Sequence, residues 1–248
     1  MGRYNKKYLE MNTQILVKAK QDIPLYFNEF QSFWNKTLKN YSDDDLHDCY
    51  HNTLIFKNWQ IAFNHIKIVQ LGTILSELHQ DINSSFYLSH FGQYRSAHMH
   101  LRSVIELSLQ ILYFYQHEVE FSQWKEGEFR IKHDELTTYL KKHPNIVNTT
   151  GINLIDEITK KWKEFSKYIH AEAPTYFQTN LQSSQTNQFI VKDFGIFKSN
   201  FLKTGYKINK LFLLFFREKI NLFPTQQKDI LINNMKPDDL TELGFSTI

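Results

Sequence analysis

The sequence predicts an all-α fold, an irregular bundle with long central helices, and three observations lead to that expectation. Glycine and proline are scarce, at 8 and 5 residues of 248, whereas sheet-rich folds need frequent turns built on these residues. Apolar residues recur at three- and four-residue steps over long stretches, which is the helical period. Aromatic residues reach 15%, with 21 phenylalanines and 13 tyrosines, and predict a core filled by large flat side chains.

The first half of the chain shows four helical patterns, separated by short breaks. Pro24 suits the first turn of a helix, and the acidic residues of 41–45 favour a new helix N-terminus. A kink or loop is expected at 81–85, and Gly92 is a weak point in the helix that follows. The expected helices run over about 7–22, 24–40, 44–79 and 85–118.

The second half is expected to continue in the same way. Gly127 marks a loop, His143 and Pro144 end a short helix, and the polar stretch 173–187 suggests a surface loop. The expected helices run over about 132–142, 153–170 and 193–222, with a short helix from Pro224 and a loose tail beyond Pro237. Since there is no internal repeat and no clear linker, we expect one domain over 1–248, with N-terminal helices at about 7–40 and a C-terminal short helix and tail at 224–248.

Composition excludes several classes of protein. Charged residues make up 22% and hydrophobic residues 42%, an ordinary balance that argues against disorder. The net charge of +3 does not by itself indicate a nucleic-acid surface. Cys49 is the one cysteine, which excludes a disulfide within the chain and a four-cysteine zinc site. Residues 1–20 lack a secretory signal and the longest apolar run, 211–216, is too short to span a bilayer. We therefore expect a soluble cytoplasmic protein with no membrane segment and no cofactor.

The segment 93–106 carries the most informative polar residues. On a helix, one face collects apolar and small side chains, namely Ala97, Leu101, Val104, Ile105, Ser108 and Leu112. Arg95, His98, Arg102 and Glu106 fall within roughly 80° on the opposite face. Because the helix becomes apolar all round from 107 to 115, Arg102 and Glu106 lie where it enters the core. They form either a structural ion pair or an anion-binding arginine oriented by its glutamate.

His170 closes a second amphipathic helix, whose apolar stripe includes Trp162, Phe165 and Ile169. A histidine at a helix C-terminus is favoured by the helix dipole, which is a structural reading. Beside an arginine it would instead serve as a general acid or base. Because His170 lies just off the apolar stripe, we expect it to be partly buried.

A third cluster contains Asp44, His47, Asp48 and His51 at helical steps of three and four. These side chains are a weak candidate for a divalent metal site. The alternative is an acidic helix start that carries two exposed histidines.

The chain resembles the HEPN superfamily (higher eukaryotes and prokaryotes nucleotide-binding) over about 85–171, with a HEPN-like core at about 44–222. The resemblance rests on two groups of residues: Tyr94, Ala97, Leu101, Arg102, Ser103 and Glu106, and later Phe165–His170. It implies a helical bundle, often dimeric, and in many members a metal-independent endoribonuclease of toxin–antitoxin, CRISPR or phage-defence systems. The usual active motif is an arginine, four to six residues and a histidine, which Arg95 and His100 match.

A continuous helix points His100 roughly 140° away from Arg95, so the two converge only if the helix begins late or a second copy completes the site. Arg102, Glu106 and His170 are therefore the preferred site, flanked by Arg95 and His98. The leading hypothesis is a HEPN-like ribonuclease or toxin-type effector that acts on RNA, with a homodimeric state and an antitoxin or defence-system partner. The alternatives are a catalytically inactive interaction module and a plain helical scaffold.

Overall fold

The computed structural model describes residues 2–170, 172–176, 191–233 and 235–245, with the side chains from Thr13 onward except Tyr26. All regular structure in these ranges is helical, which confirms the all-α prediction. The helices are α1 (Gly2–Lys39), α2 (Asp43–His65), α3 (Gly72–His90), α4 (Tyr94–Phe114), α5 (Glu118–Lys125), α6 (His133–Lys142), α7 (Gly151–His170), α8 (Val191–Phe215), α9 (Thr225–Asn233) and α10 (Pro237–Leu243). Short 3-10 turns lie at Val69–Leu71, Pro174–Tyr176 and Arg217–Leu222.

Helix α4 is the centre of the bundle and packs against α3, α6, α7 and α8. The expected apolar face is fully buried, at Ala97, Leu101, Val104, Ile105, Ser108 and Leu112. Because neighbouring helices surround α4, most of its second half is buried on all sides, as its sequence predicts.

A second packing centre joins α2, α8 and α9 around Trp59. Its indole is fully buried and its Nε1 donates a hydrogen bond to Asn209 Oδ1 at 2.8 Å. The Asn209 amide donates in turn to the Leu231 carbonyl at 2.8 Å. Phe212 and Phe223 pack edge-on against the same indole. The aromatic excess of the sequence thus fills the core, and the buried polar atoms of this centre have partners.

Several breaks in the helices differ from expectation. The first helix continues through Pro24, since a proline in a helix interior removes one hydrogen bond without necessarily ending the helix. The expected helix over 44–79 is interrupted after His65, where Lys67 adopts a left-handed backbone with φ 64°. The expected break at 81–85 does not exist, because Asp81 and Ser85 point into the bundle. Ser85 Oγ donates to the Ala97 carbonyl at 2.9 Å.

Gly92 forms the sharp turn between α3 and α4. Its φ is +72°, a conformation that residues with a Cβ rarely adopt. A Cβ at this position would also come within 2.6 Å of the Phe33 ring of α1. The weak point predicted in the sequence is therefore a true helix boundary, fixed by both backbone conformation and space.

Residues 237–245 of the expected tail are not loose. Helix α10 packs on α8 through Leu240 and Leu243, both buried. Lys210 of α8 pairs with Asp239 at 2.6 Å and with Glu242 at 2.7 Å. The expected loop 173–187 lies largely outside the described residues. Among the helices that are described, none combines the length and hydropathy required to cross a bilayer.

Candidate functional site

Arg102 of α4 joins two helices through defined hydrogen bonds. Its Nη1 donates to Glu106 Oε2 at 2.7 Å, one turn along α4. Its Nε donates to Ser166 Oγ of α7 at 2.9 Å. The Ser166 hydroxyl donates to the Trp162 carbonyl at 2.8 Å, which leaves an oxygen lone pair directed at Arg102. Two of the three guanidinium nitrogens, Nε and Nη1, therefore have fixed hydrogen-bond partners.

The guanidinium also lies against an aromatic surface. Its central carbon is 4.8 Å from the centroid of the Trp162 ring, within the range of a cation–π contact. The His133 imidazole stacks on the same indole at 3.9 Å with an interplanar angle of 6°. The Trp162 indole thus links α7 to Arg102 of α4 and to the start of α6.

His133 is a neutral histidine at physiological pH. Burial is the main cause that lowers its pKa to about 4, and the positive charges of Arg102 and Lys163 act in the same direction. Both ring nitrogens, and Nε1 of Trp162, are buried without a hydrogen-bond partner in the described part of the chain. Unpaired buried donors and acceptors are uncommon in folded proteins. Three of them therefore distinguish the surroundings of Arg102 from the rest of the core.

Arg95 lies two helical turns before Arg102 on the same face of α4. Its Nε donates to the Tyr168 carbonyl at 2.9 Å, in the last turn of α7. The two arginines therefore contact the final turns of α7, which end at His170. Cations at a helix C-terminus are favoured by the helix dipole, so Arg95 stabilises this end of α7.

His170 is exposed and makes no hydrogen bond or ion pair within the described residues. The expectation that it is partly buried is wrong, because it lies about 140° round the helix from Phe165 at the centre of the buried stripe. It does follow Ser166 by one turn, and side chains at this spacing have Cβ atoms about 6 Å apart. Since Arg102 contacts Ser166 directly, His170 lies next along the same side of α7.

His98, expected to flank the site, is in the core. Burial lowers its pKa to about 4, so it is neutral. Nδ1 lies 2.7 Å from the Tyr94 carbonyl and must donate, since a carbonyl only accepts. Nε2 then accepts from the Asn200 amide at 3.1 Å, and the ring stacks on Tyr168 at 4.5 Å. These contacts give His98 a packing role.

His100 lies on another side of α4, where its Nδ1 is 2.7 Å from Asp81 Oδ1 of α3. Arg95, by contrast, points to α7. The arginine and histidine of the six-residue HEPN-like pattern therefore do not meet within one chain, as the helical angle predicts. Arg95 and His100 could act at one site only if a second copy of the chain supplied one of the two residues.

The weak metal candidates do not assemble into a ligand set. Within the described ranges, no group of three or more His, Cys, Asp or Glu side chains is placed to hold a metal ion. His47 and His51 stack at 5.9 Å, and His47 is 3.2 Å from Asp48. Asp44, in the first turn of α2, is exposed.

Sequence reasoning overlooked Ser166 and His133. Ser166 has a local signal, because it precedes His170 by four residues and so shares its side of α7. His133 has none, since its contact with Trp162 joins residues that are far apart in the sequence. No family model, curated protein or solved structure matches this chain.

Proposed function

We propose that this protein is a HEPN-like, metal-independent endoribonuclease whose site is formed by Arg102, Glu106, Ser166 and His170. One observation carries the proposal: Arg102 is fixed through Nε and Nη1 while its Nη2 has no partner in the described chain. The side chain is 21% exposed, and Nη2 is not among the buried unpartnered nitrogens, which leaves room for a phosphate oxygen to approach it. An arginine oriented in this way can bind a phosphate with defined geometry.

Each of the four site residues has a distinct chemical role. Arg102 neutralises the scissile phosphate and the charge that develops on the phosphorane. His170 takes the proton of the 2′-OH as the hydroxyl oxygen attacks phosphorus. The resulting imidazolium returns the proton to the departing 5′ oxygen, which leaves a 2′,3′-cyclic phosphate. Glu106 and Ser166 position Arg102. In this scheme RNA is the substrate because DNA lacks the attacking hydroxyl.

The test is cleavage of a fluorescent single-stranded RNA by the purified protein in the presence of EDTA. His170→Ala should lower the rate by about a hundredfold or more, the usual contribution of a general acid–base group. The matched control is His65→Ala, because His65 is also exposed in the last turn of a helix and should leave the rate unchanged. Equal rates for wild type and His170→Ala would show that the catalytic assignment is wrong.

A toxin-type effector should also act in cells. Induced expression of the wild-type chain should arrest bacterial growth, and the His170→Ala variant should not. If growth arrest is relieved by a protein encoded beside it, that protein is the proposed antitoxin or defence-system partner. Arrest by both variants at equal expression would dissociate toxicity from RNA cleavage.

The second candidate function is an interaction module, and the exposed apolar side of α1 favours it. Ile15, Leu16, Ile23 and Phe27 are each more than half exposed, and α1 contacts the bundle chiefly through α3. Leu16, Ile23 and Phe30 recur every seven residues, the repeat of helices that pair with one another. We propose that two copies of the chain associate through this seam.

Light scattering at micromolar concentration tests the association. The wild type should be a dimer, and Leu16→Lys with Ile23→Lys should be a monomer with unchanged helix content. The control replaces two exposed lysines of the same helix that point away from this seam, Lys18 and Lys39, with glutamine and should remain dimeric. A monomeric wild type would contradict the proposal.

A further inference from the structure

A cavity of about 830 Å³ lies on the other side of α7 from Arg102, between α2, α7, α8 and α9. Four lysines line it: Lys161 of α7, Lys203 and Lys207 of α8, and Lys236 just before α10. Asp48 is the one carboxylate among its lining residues. Four ammonium groups and one carboxylate therefore line one concave surface, in a protein whose whole net charge is +3.

Two of these lysines are held in place by partners outside the lining. Lys161 pairs with Glu164 at 2.7 Å, and Lys207 pairs with Glu157 at 2.7 Å. Both pairs are partly exposed, so their stabilising energy is small. Their effect on the cavity is to fix the direction of two ammonium groups.

The other two lysines have no such partner. Lys203 and Lys236 are exposed, and their ammonium groups make no ion pair or hydrogen bond within the described residues. The charge of Lys236 acts on Asp239 only from a distance, where it helps to lower the pKa of that carboxyl. Their charges are therefore available to a ligand. Ammonium groups on flexible stems act as point charges that suit phosphate oxygens.

The remaining walls combine two imidazole rings with apolar groups. His47 and His51 stack on one side, and burial, followed by the nearby His47, lowers the pKa of His51. Leu202, Ile230 and Tyr206 provide the apolar surface. A ligand that carries both anionic groups and a carbon skeleton matches this composition, and the volume falls within the range of small-molecule sites.

The floor of the cavity is preformed. The Asn52 amide of α2 donates to the Phe201 carbonyl of α8 at 3.0 Å, and a Cβ at Gly205 would overlap the Asn52 side chain. The two helices therefore approach closely here. At the rim, the Tyr206 hydroxyl donates to Asp239 and accepts from the Lys236 backbone N–H at 3.1 Å, which fixes the backbone that carries the Lys236 ammonium.

We propose that this cavity binds a phosphorylated small molecule with two or more phosphate charges. The binding is separate from the RNA site, because Lys161 and Ser166 point about 140° apart on α7. The proposal stands whether or not Arg102 and His170 cleave RNA.

Isothermal titration calorimetry on the full chain tests it, with inorganic pyrophosphate and fructose 1,6-bisphosphate as probes at constant ionic strength. Each should bind with 1:1 stoichiometry, and inorganic phosphate should bind at least about tenfold more weakly. Lys203→Ala with Lys236→Ala should weaken pyrophosphate binding about tenfold or more, since two charge-assisted hydrogen bonds are lost. NMR should show that pyrophosphate shifts the ring signals of His51 and leaves those of His65 unchanged.

The matched control is Lys125→Ala with Lys142→Ala, which removes two exposed lysines from the last turns of α5 and α6. Its affinity for pyrophosphate should remain within about twofold of wild type, because its charge change is equal but remote. Binding of pyrophosphate alone supports the site and restricts its ligand to a terminal diphosphate. Three results overturn the proposal: neither probe binds below about 1 mM, the control loses as much affinity as the cavity variant, or RNA oligonucleotides bind here while both probes do not.

Discussion

His98 Nε2 accepts a hydrogen bond from the Asn200 amide at 3.1 Å, where α4 and α8 meet and the imidazole is sealed from solvent. The Asn200 carbonyl oxygen accepts from Lys161 at 3.0 Å. A directed chain of hydrogen bonds therefore runs from the ammonium at the cavity, through the amide, to the neutral histidine and the Tyr94 carbonyl. Protonation of His98 would turn Nε2 from an acceptor into a donor, and the hydrogen bond from the Asn200 amide would be lost.

This relationship predicts that acid destabilises the protein through His98. Its folded pKa of about 4 lies below the ordinary value of 6.5. The unfolded chain therefore binds the proton first, so stability is full above about pH 6.5 and falls as the pH decreases toward 4. The complete shift corresponds to about 3 kcal/mol.

Urea unfolding at pH 7 and at pH 5 measures this effect. His98→Gln keeps an amide donor for Tyr94 and an acceptor for Asn200 but cannot titrate, so it should lose about 1–2 kcal/mol less than wild type between the two pH values. The comparison of variant with wild type cancels the contributions of other buried histidines. An equal loss in both proteins would exclude His98 as the source.

The pair of Arg102 and Glu106 should contribute modestly to stability. Arg102→Ala removes the hydrogen bond to Ser166 and the contact with Trp162, and should lower the free energy of unfolding by about 1–2 kcal/mol. A double-mutant cycle with Glu106→Gln should give a coupling energy below about 1 kcal/mol, because the two side chains are 21% and 32% exposed. A coupling above about 2 kcal/mol would indicate that the pair is effectively buried and mainly structural.

The α3–α4 turn requires glycine at position 92. Gly92→Ala should destabilise the protein by about 2–4 kcal/mol, since it combines a left-handed backbone with a collision against Phe33. Gly127→Ala is the control, because Gly127 has a similar φ of +78° but open space around it, and should cost only about 1 kcal/mol. Similar losses in thermal or urea unfolding would mean that the contact with Phe33 does not matter.

Two glycines inside α8 should respond with opposite signs. Gly205→Ala places a methyl group on the Asn52 side chain and should destabilise by about 1–3 kcal/mol, as overpacking does. Gly195→Ala adds a methyl group in open space and should stabilise by about 0.5–1 kcal/mol, because alanine favours a helix interior. Urea unfolding of both variants measures the two effects. Equal destabilisation by both substitutions would show that the contact between position 205 and Asn52 of α2 is not the cause.

The sequence by itself determined the helical class and most helix positions. Spacing of apolar residues predicted the buried face of α4 and the stripe of α7 that contains Phe165, because each helix has a fixed period that the chain displays locally. The acidic start of α2 was visible for the same reason: Asp43, Asp44 and Asp45 follow Ser42, whose Oγ caps the helix by accepting from the Asp45 N–H at 3.1 Å. The pairing of Arg102 with Glu106 was likewise predictable from a spacing of four residues.

Tertiary structure alone decided which polar residues meet across helices. Asp81 and Ser85 suggested a loop, yet they are buried because α4 supplies His100 and the Ala97 carbonyl as partners. Ser166 meets Arg102 across 64 residues of sequence, and Lys161, Lys203 and Lys236 meet around a cavity. The spacing of apolar residues predicts which side of a helix faces the core, but not which other helix packs against that side. That neighbour depends on how the helices pack as a whole, through contacts between residues far apart in the chain.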